Sequence, residues 1–248
     1  MVLSITNNCN MGCTHCMGDY KPCEDFMSME VLKDVIDFIK RMDIHFILVS
    51  GGEPTSHPKF IEIMKYIKKH LGTDTHCIII ASNGAFLDDE KLVKEIIDLD
   101  LEVQITNDSR YYPKSIKHIE HKNFRYVDCV ATLYPQGRAS NQKPILSRVT
   151  KCFNPKLVSY QTDEESFSKI ISVFERRFKF CFPFIDFKGD VRIGESRLCE
   201  PIGTIYDSDK LLYKAVQYHK CNKCTMNKYV SKEYTNMLTT LIESKIYN

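Results

Sequence analysis

Cys9-Asn10-Met11-Gly12-Cys13-Thr14-His15-Cys16 is the stretch on which the rest of the chain turns. Its three cysteines are spaced Cys-x3-Cys-x2-Cys. Thiolates at that spacing can converge on one soft metal centre. Zinc usually takes four ligands, and its cysteines more often come as Cys-x2-Cys with a distant second pair. Three close cysteines with no obvious local fourth point to a [4Fe–4S] cluster with one iron left open, although zinc competes for the same residues. An open iron can bind a substrate or a cofactor, so the stretch reads as chemistry rather than as structure.

Working outward, Val2–Thr6 alternates as a short strand that ends where the cysteine loop begins. Ser28 caps a helix over Met29–Met42, with Val31, Leu32, Val35, Phe38, Ile39 and Met42 as its apolar stripe. His45–Ser50 is a buried strand, Lys59–His70 a helix and His76–Ala81 the next strand. Asp88 is expected to cap a helix to about Asp98, with Leu87 and Leu92 as a hydrophobic staple. Leu101–Thr106 is a fourth strand and Phe124–Ala131 a fifth. Strands alternating with helices over short connections give a parallel sheet or barrel. An open doubly wound sheet stays in play, but a cysteine loop stands where its Gly-rich phosphate turn belongs.

Beyond the fifth strand the pattern changes. Tyr134–Gln161 reads as a long, functional or mobile loop. Thr162 and Glu165 form a capping box opening a helix to about Arg177. Apolar runs on either side of Lys188-Gly189-Asp190 read as a β-hairpin, and helices over about Ser208–Tyr218 and Ser231–Ile246 close the chain. A boundary is expected near Phe180.

The 248 residues suit one large α/β domain or a domain with a small appendage, and can bury a sizeable core. Apolar content of 43% and charged content of 27% are globular rather than disordered. A net charge of +2 gives no global argument for nucleic acid or membrane as partner, though a nucleotide-modifying role stays open. No apolar run is long enough to span a bilayer, and the strand following Met1 leaves no room for a signal peptide. Eleven cysteines without a secretion signal argue against a disulfide framework, and the expectation is a cytoplasmic protein that uses thiolates for metal. Cys77 and Cys129, on expected strands, read as small core residues, and Cys23 as an exposed bystander.

Three further motifs each follow a strand, and therefore lie at the carboxyl ends of the sheet, where barrels and open α/β sheets place their sites. Ser50-Gly51-Gly52-Glu53-Pro54 combines a backbone that a ligand can approach closely with an acceptor-only carboxylate suited to an amino group. Ser82-Asn83-Gly84 follows the third strand. Gln104-Ile105-Thr106-Asn107-Asp108 ends the fourth, although helix caps use the same residue types. Arg138, in Gln136-Gly137-Arg138-Ala139, can clamp a carboxylate bidentately or stand as a solvated loop arginine. Cys181, Cys199, Cys221 and Cys224 supply four ligands for a second centre, an iron–sulfur cluster or zinc, with Cys152 as a substitute ligand or a substrate-facing thiol.

With these motifs in this order, the sequence resembles the radical S-adenosylmethionine (SAM) superfamily. The resemblance implies a partial (β/α)6 TIM-like barrel over residues 1–179. It implies a twitch- or SPASM-like α+β auxiliary-cluster domain over 180–248, a layout similar to that of 2-deoxy-scyllo-inosamine dehydrogenases. Cys9, Cys13 and Cys16 would hold a [4Fe–4S] cluster whose open iron chelates SAM. Gly51, Gly52, Glu53 and Pro54 would meet the amino group of SAM's methionine moiety, and Ser82 and Asn83 would line its pocket. Thr106 and Asp108 would contact its ribose or carboxylate. Arg138 would clamp SAM's carboxylate or a substrate acid. His15 stands where relatives usually carry an aromatic residue and would pack against the adenine edge.

The implied reaction is reductive cleavage of SAM to a 5′-deoxyadenosyl radical, which abstracts a hydrogen atom from the substrate. An auxiliary [4Fe–4S] cluster on the four C-terminal cysteines would accept an electron, giving net oxidation of a small polar molecule. The alternative is a peptide- or protein-modifying maturase forming thioethers or crosslinks; a zinc-binding protein without catalytic activity is the third reading. An external one-electron reductant such as flavodoxin or ferredoxin is the implied partner.

Overall fold

Two strands show how the sheet is turned. In Phe46–Ser50 the residues Ile47 and Val49 are fully buried while their alternate neighbours are only half-covered. In Glu102–Thr106 the buried pair is Val103 and Ile105, and the opposite face carries Glu102, Gln104 and Thr106. One face of each strand therefore packs into the core; the other is Phe46, Leu48 and Ser50 in the first strand and polar in the second, and the end residues Ser50 and Thr106 line a cavity.

The computed structural model describes residues 1–128, 132–133, 136–143, 145–146, 183–193 and 197–212. In chain order the elements are β1 (Val2–Ser4), α1 (Met29–Arg41), β2 (Phe46–Ser50), α2 (Phe60–Leu71), β3 (Cys77–Ser82), α3 (Glu90–Asp98), β4 (Glu102–Thr106) and β5 (Phe124–Val127). They continue with β6 (Thr132–Leu133), β7 (Ile145–Leu146), β8 (Pro183–Ile185), β9 (Asp190–Ile193) and β10 (Pro201–Thr204). Strands β1 to β5 are neighbours in space in the same order as in sequence, each parallel to the last. A doubly wound sheet would reverse direction at a switch point. Over β1–β5 the progression runs one way, with the return to the other edge of β1 coming only at β8; right-handed crossovers over β1–β4 put their helices on one side, and the sheet curls as a partial barrel.

The helices form for the reasons visible in their sequence. Ser28 Oγ accepts from Val31 N (3.3 Å), and Leu32, Val35, Phe38 and Ile39 bury the stripe of α1 against the sheet. Fully burying a side chain of this kind contributes roughly 1.5–3 kcal/mol, far more than helix propensity does. Helix α3 starts one residue later than expected: Asp89, not Asp88, caps it, accepting from Leu92 N (3.1 Å). Asp88 instead ends a short 3-10 turn, Ala85–Asp88, and faces Lys117. The staple shifts with the cap, so Leu87 and Leu92 fall one position short of a staple pair, although Leu87 is buried in the core.

Past β5 the sheet gains its other edge. Strand β8 runs parallel to β1, and β9 and β10 follow antiparallel, so the pairing continues beyond residue 180. The expected turn at Lys188-Gly189-Asp190 is present, with Asp186 Oδ1 accepting from Lys188 N (3.0 Å) and Asp190 N (3.1 Å). Arg41 at the end of α1 ties down the segment after β10 by donating to Asp209 Oδ1 (2.9 Å), Ile205 O (3.1 Å) and Asp207 O (3.3 Å).

Two further expectations change. The stretch read as the loop Tyr134–Gln161 contributes β7, which pairs antiparallel with β6, and a 3-10 turn at Gly137–Ala139. Cys77 is exposed rather than a core residue, because it is the first residue of β3, at the rim of the sheet. The capping box at Thr162, the final helix, most of the helix expected from Ser208, and Cys129, Cys152, Cys181, Cys221 and Cys224 lie outside the described residues.

Candidate active site

The site is built where the first four parallel strands end. The chain leaving β1 stays bound to the end of β2: Ile5 N donates to Ser50 O (3.1 Å), Gly52 N to Thr6 O (2.8 Å) and Glu53 N to Asn8 O (2.7 Å). This contact is why two glycines stand there. A Cβ on Gly51 would lie 2.3 Å from Thr6 O, one on Gly52 2.2 Å from Asn8 O, and Gly51 has φ +143°. The close approach that the glycines permit is thus to the chain's own backbone, and on their other side they line the cavity.

That cavity has a volume of about 300 Å³. Cys9, Cys13 and Cys16 line it, together with Gly51 and Gly52 from the second loop and Ser82 and Asn83 from the third. Thr106, Arg138 and His15 complete the set of expected residues in its wall. Glu53, Pro54 and Asp108 are not part of the wall. Glu53 is 1% exposed, and both carboxylate oxygens are engaged. Oε1 accepts from Thr55 Oγ1 (2.6 Å), Thr55 N (3.1 Å) and Ser82 Oγ (2.8 Å), and Oε2 accepts from Asn83 N (2.7 Å). Burial pushes its pKa up, while these four donors pull it back. The carboxylate therefore joins the second loop to the third. Asp108 is also 1% exposed, and Arg110 binds it in a fork, Nε to Oδ1 at 2.8 Å and one terminal nitrogen to Oδ2 at 2.6 Å.

Arg138 lines the cavity with its guanidinium engaged inside the chain. It donates to Cys13 O (2.9 Å), Tyr20 O (2.7 Å) and Asp19 Oδ1 (3.1 Å), and its backbone N donates to Cys16 O (3.0 Å). The carboxylate it meets here is the chain's own Asp19. His15 packs its ring against Tyr112 (5.7 Å, stacked) and Tyr111 (5.1 Å), and its Nδ1 is buried with no hydrogen-bond partner among the described residues. Burial holds the ring below the usual imidazole pKa, with Asp108 pulling up and Arg138 down.

Sequence reasoning missed Tyr20 and Tyr112, which both line the cavity. Burial raises the pKa of each phenol. The available signal for Tyr112 was the pair Tyr111-Tyr112 shortly after the fourth motif, since a tyrosine pair beside polar residues past a strand end makes an amphipathic wall.

Two of the three thiols are costly to ionise where they sit. Burial raises the pKa of Cys9, and it raises that of Cys13 to about 12, each with further upward pressure from neighbouring cysteines. Three thiolates cannot accumulate in this space unless a cationic centre compensates them. Donors already point at two of the sulfurs: Tyr20 N lies 3.5 Å from Cys16 Sγ, and Asn83 Nδ2 lies 3.8 Å from Cys9 Sγ. Among the described residues no three His, Cys, Asp or Glu side chains gather as ligands of one ion. A multi-iron centre with one thiolate per iron needs its cysteines more widely spaced than that. Of the C-terminal cysteines only Cys199 is described, half-buried, with its carbonyl accepting from Arg192 (2.6 Å).

Comparison with known proteins gives a consistent result. A family profile described as the radical SAM superfamily matches residues 3–139. Over 69 residues the chain is 38% identical to mycofactocin maturase MftC of Mycobacterium tuberculosis (strain ATCC 25618 / H37Rv), covering 27% of this chain and 17% of that protein. Over 88 residues it is 32% identical to the GTP 3',8-cyclase of Chlorobaculum tepidum, covering 35% of this chain and 26% of that protein. The matched stretches thus span under a third of either relative. The crystal structure of BtrN in complex with AdoMet and 2-DOIA shares the fold, with a TM-score of 0.57 at 14% identity, covering 93% of this chain and 86% of that chain.

Proposed function

This chain belongs to the radical SAM superfamily, and from that premise we propose that it oxidises a small polar substrate by SAM-dependent hydrogen-atom abstraction. The family's cofactors are a [4Fe–4S] cluster and SAM. When bound, they supply one-electron reductive cleavage of SAM to methionine and a 5′-deoxyadenosyl radical, which takes a hydrogen atom from the substrate. The observation that carries the reading is the convergence of Cys9, Cys13, Cys16, Gly51, Gly52, Ser82 and Asn83 on one cavity at the carboxyl ends of the parallel strands.

Each group in that wall receives a role under this reading. Cys9, Cys13 and Cys16 hold the cluster. Gly51 and Gly52 offer backbone to SAM's methionine moiety, and Glu53 acts one step behind by fixing Ser82 and Asn83. Thr106 meets the ribose, with Asp108 and Arg110 supporting the same strand end. His15, kept neutral between Tyr111 and Tyr112, forms the adenine side. Arg138 holds the cysteine loop in shape. The buried, tyrosine-lined wall excludes water from a reactive radical.

Cys181, Cys199, Cys221 and Cys224 are assigned to an auxiliary [4Fe–4S] cluster, whose contribution when bound is uptake of one electron; a flavodoxin or ferredoxin supplies the first reduction. Similarity to a mycofactocin maturase favours a second reading, modification of a peptide. The test is anaerobic incubation of the iron-loaded protein with SAM and dithionite, reading 5′-deoxyadenosine by mass spectrometry. Formation of 5′-deoxyadenosine supports the reading, and its absence from fully iron-loaded protein overturns it. Stimulation by polyols and amino-cyclitols rather than by cysteine-containing peptides selects the small-substrate branch; the reverse selects the maturase.

A further inference from the structure

The turn Cys16–Tyr20 leaves the cysteine loop with Asp19 in the left-handed region, at φ +49°. Aspartate takes that conformation more readily than most residues with a side chain, though it remains uncommon. Two arginines from different parts of the chain brace the turn here. Arg138 takes Tyr20 O and the Asp19 carboxylate, as described above. Arg197 donates from Nε to Gly18 O (2.6 Å) and from a terminal nitrogen to Asp19 O (3.1 Å), and its guanidinium lies 5.2 Å from the centre of the Tyr20 ring. Arg197 stands on the C-terminal segment, two positions before Cys199. The turn that it holds ends in the backbone N–H of Tyr20, which reaches Cys16 Sγ at 3.5 Å.

We infer that Arg197 is a positioning residue for the N-terminal cluster: by fixing the Gly18–Tyr20 turn it maintains the Tyr20 N–H···Sγ hydrogen bond to Cys16, and so sets that cluster's reduction potential from the C-terminal part of the chain. The physical reason is electrostatic. Hydrogen bonds to a cluster's sulfurs spread its negative charge and favour the reduced form. Arg197 contacts no cysteine sulfur in the described structure, and its effect is transmitted through two carbonyls and one turn. The inference rests on the assignment of Cys16 as a ligand in the proposed function.

The test is a redox titration of the iron-loaded full chain, followed through the electron paramagnetic resonance (EPR) signal that SAM perturbs, so that a second cluster does not enter the reading. Arg197→Ala is expected to shift the potential to more negative values with iron per chain unchanged. Arg197→Lys, which keeps the charge and one donor but not the fork, should restore part of the shift, and it serves as the test variant if Arg197→Ala does not fold. Arg41→Ala is the control, because Arg41 also ties the C-terminal segment to the core, through Asp209 and Ile205 O, away from the cysteine loop. It should lower the melting temperature and leave the potential in place. An unmoved potential in Arg197→Ala, or an equal shift in Arg41→Ala, overturns the inference. Cys16→Ala tests the underlying assignment separately: a variant that keeps the SAM-responsive signal would show that the ligand assignment, not the role of Arg197, is at fault.

Discussion

Cys23 and Cys77 carry the same thiol as Cys9, Cys13 and Cys16, in different company. The first two are exposed, one beyond the cysteine loop and the other at the opening residue of β3. Cys9 and Cys13 are buried beside one another and beside Cys16 at the carboxyl ends of the strands. Asn83 faces Cys9 and the Tyr20 amide faces Cys16. Under the proposed function, what sets the ligand cysteines apart from the bystanders is their convergence on one cavity and the donors that face two of their sulfurs. Counting cysteines along the chain does not reveal this; placing them on strand ends does.

The comparison is broken most severely at its centre. Cys13→Ala is expected to lose the cluster and all 5′-deoxyadenosine formation, whereas Cys23→Ala should retain both, as read by iron content and product assay. Next is the frame that brings the loops together. Gly52→Ala drives a Cβ to 2.2 Å from Asn8 O, and should destabilise the fold by about 2–3 kcal/mol in denaturant titrations, as overpacking against rigid backbone does.

A pH series sharpens the contrast. In the metal-free protein the folded-state pKa of Cys13 is raised from 9.0 to about 12, so the folded chain keeps a proton that the unfolded chain releases. Its contribution to stability is complete below pH 9 and is lost as pH rises toward 12. Urea midpoints of the metal-free form should fall through that interval, and replacing Cys13 with Ala should flatten the slope. Smallest of all, Cys77→Ser should change stability by no more than about 0.5 kcal/mol, since an exposed strand-end thiol has little packing to lose.

Much of this was legible before any coordinates. The stripe of α1 and its Ser28 cap, the strand–helix alternation and the placement of four motifs at strand ends all follow from local pattern, and local pattern survives folding. What was not legible shares a physical origin in tertiary contacts that sequence spacing does not encode. Asp88 and Asp89 are equally good caps in sequence, and only the 3-10 turn before them selects the second. Glu53 reads as a free carboxylate for an amino group, yet the third loop donates two hydrogen bonds to it. Arg138 reads as a ligand clamp, yet it grips carbonyls of the cysteine loop more than a hundred residues earlier in the chain. Gly51-Gly52 reads as backbone that a ligand can approach, and on its other side it also admits the chain's own backbone.

The most direct test of the central claim is anaerobic iron and sulfide quantitation with EPR, on the wild-type chain and on a variant with Cys9, Cys13 and Cys16 all changed to Ala. The account predicts that the variant loses about four irons per chain together with the signal that SAM perturbs. A variant with undiminished iron and an unchanged SAM-responsive signal would contradict it.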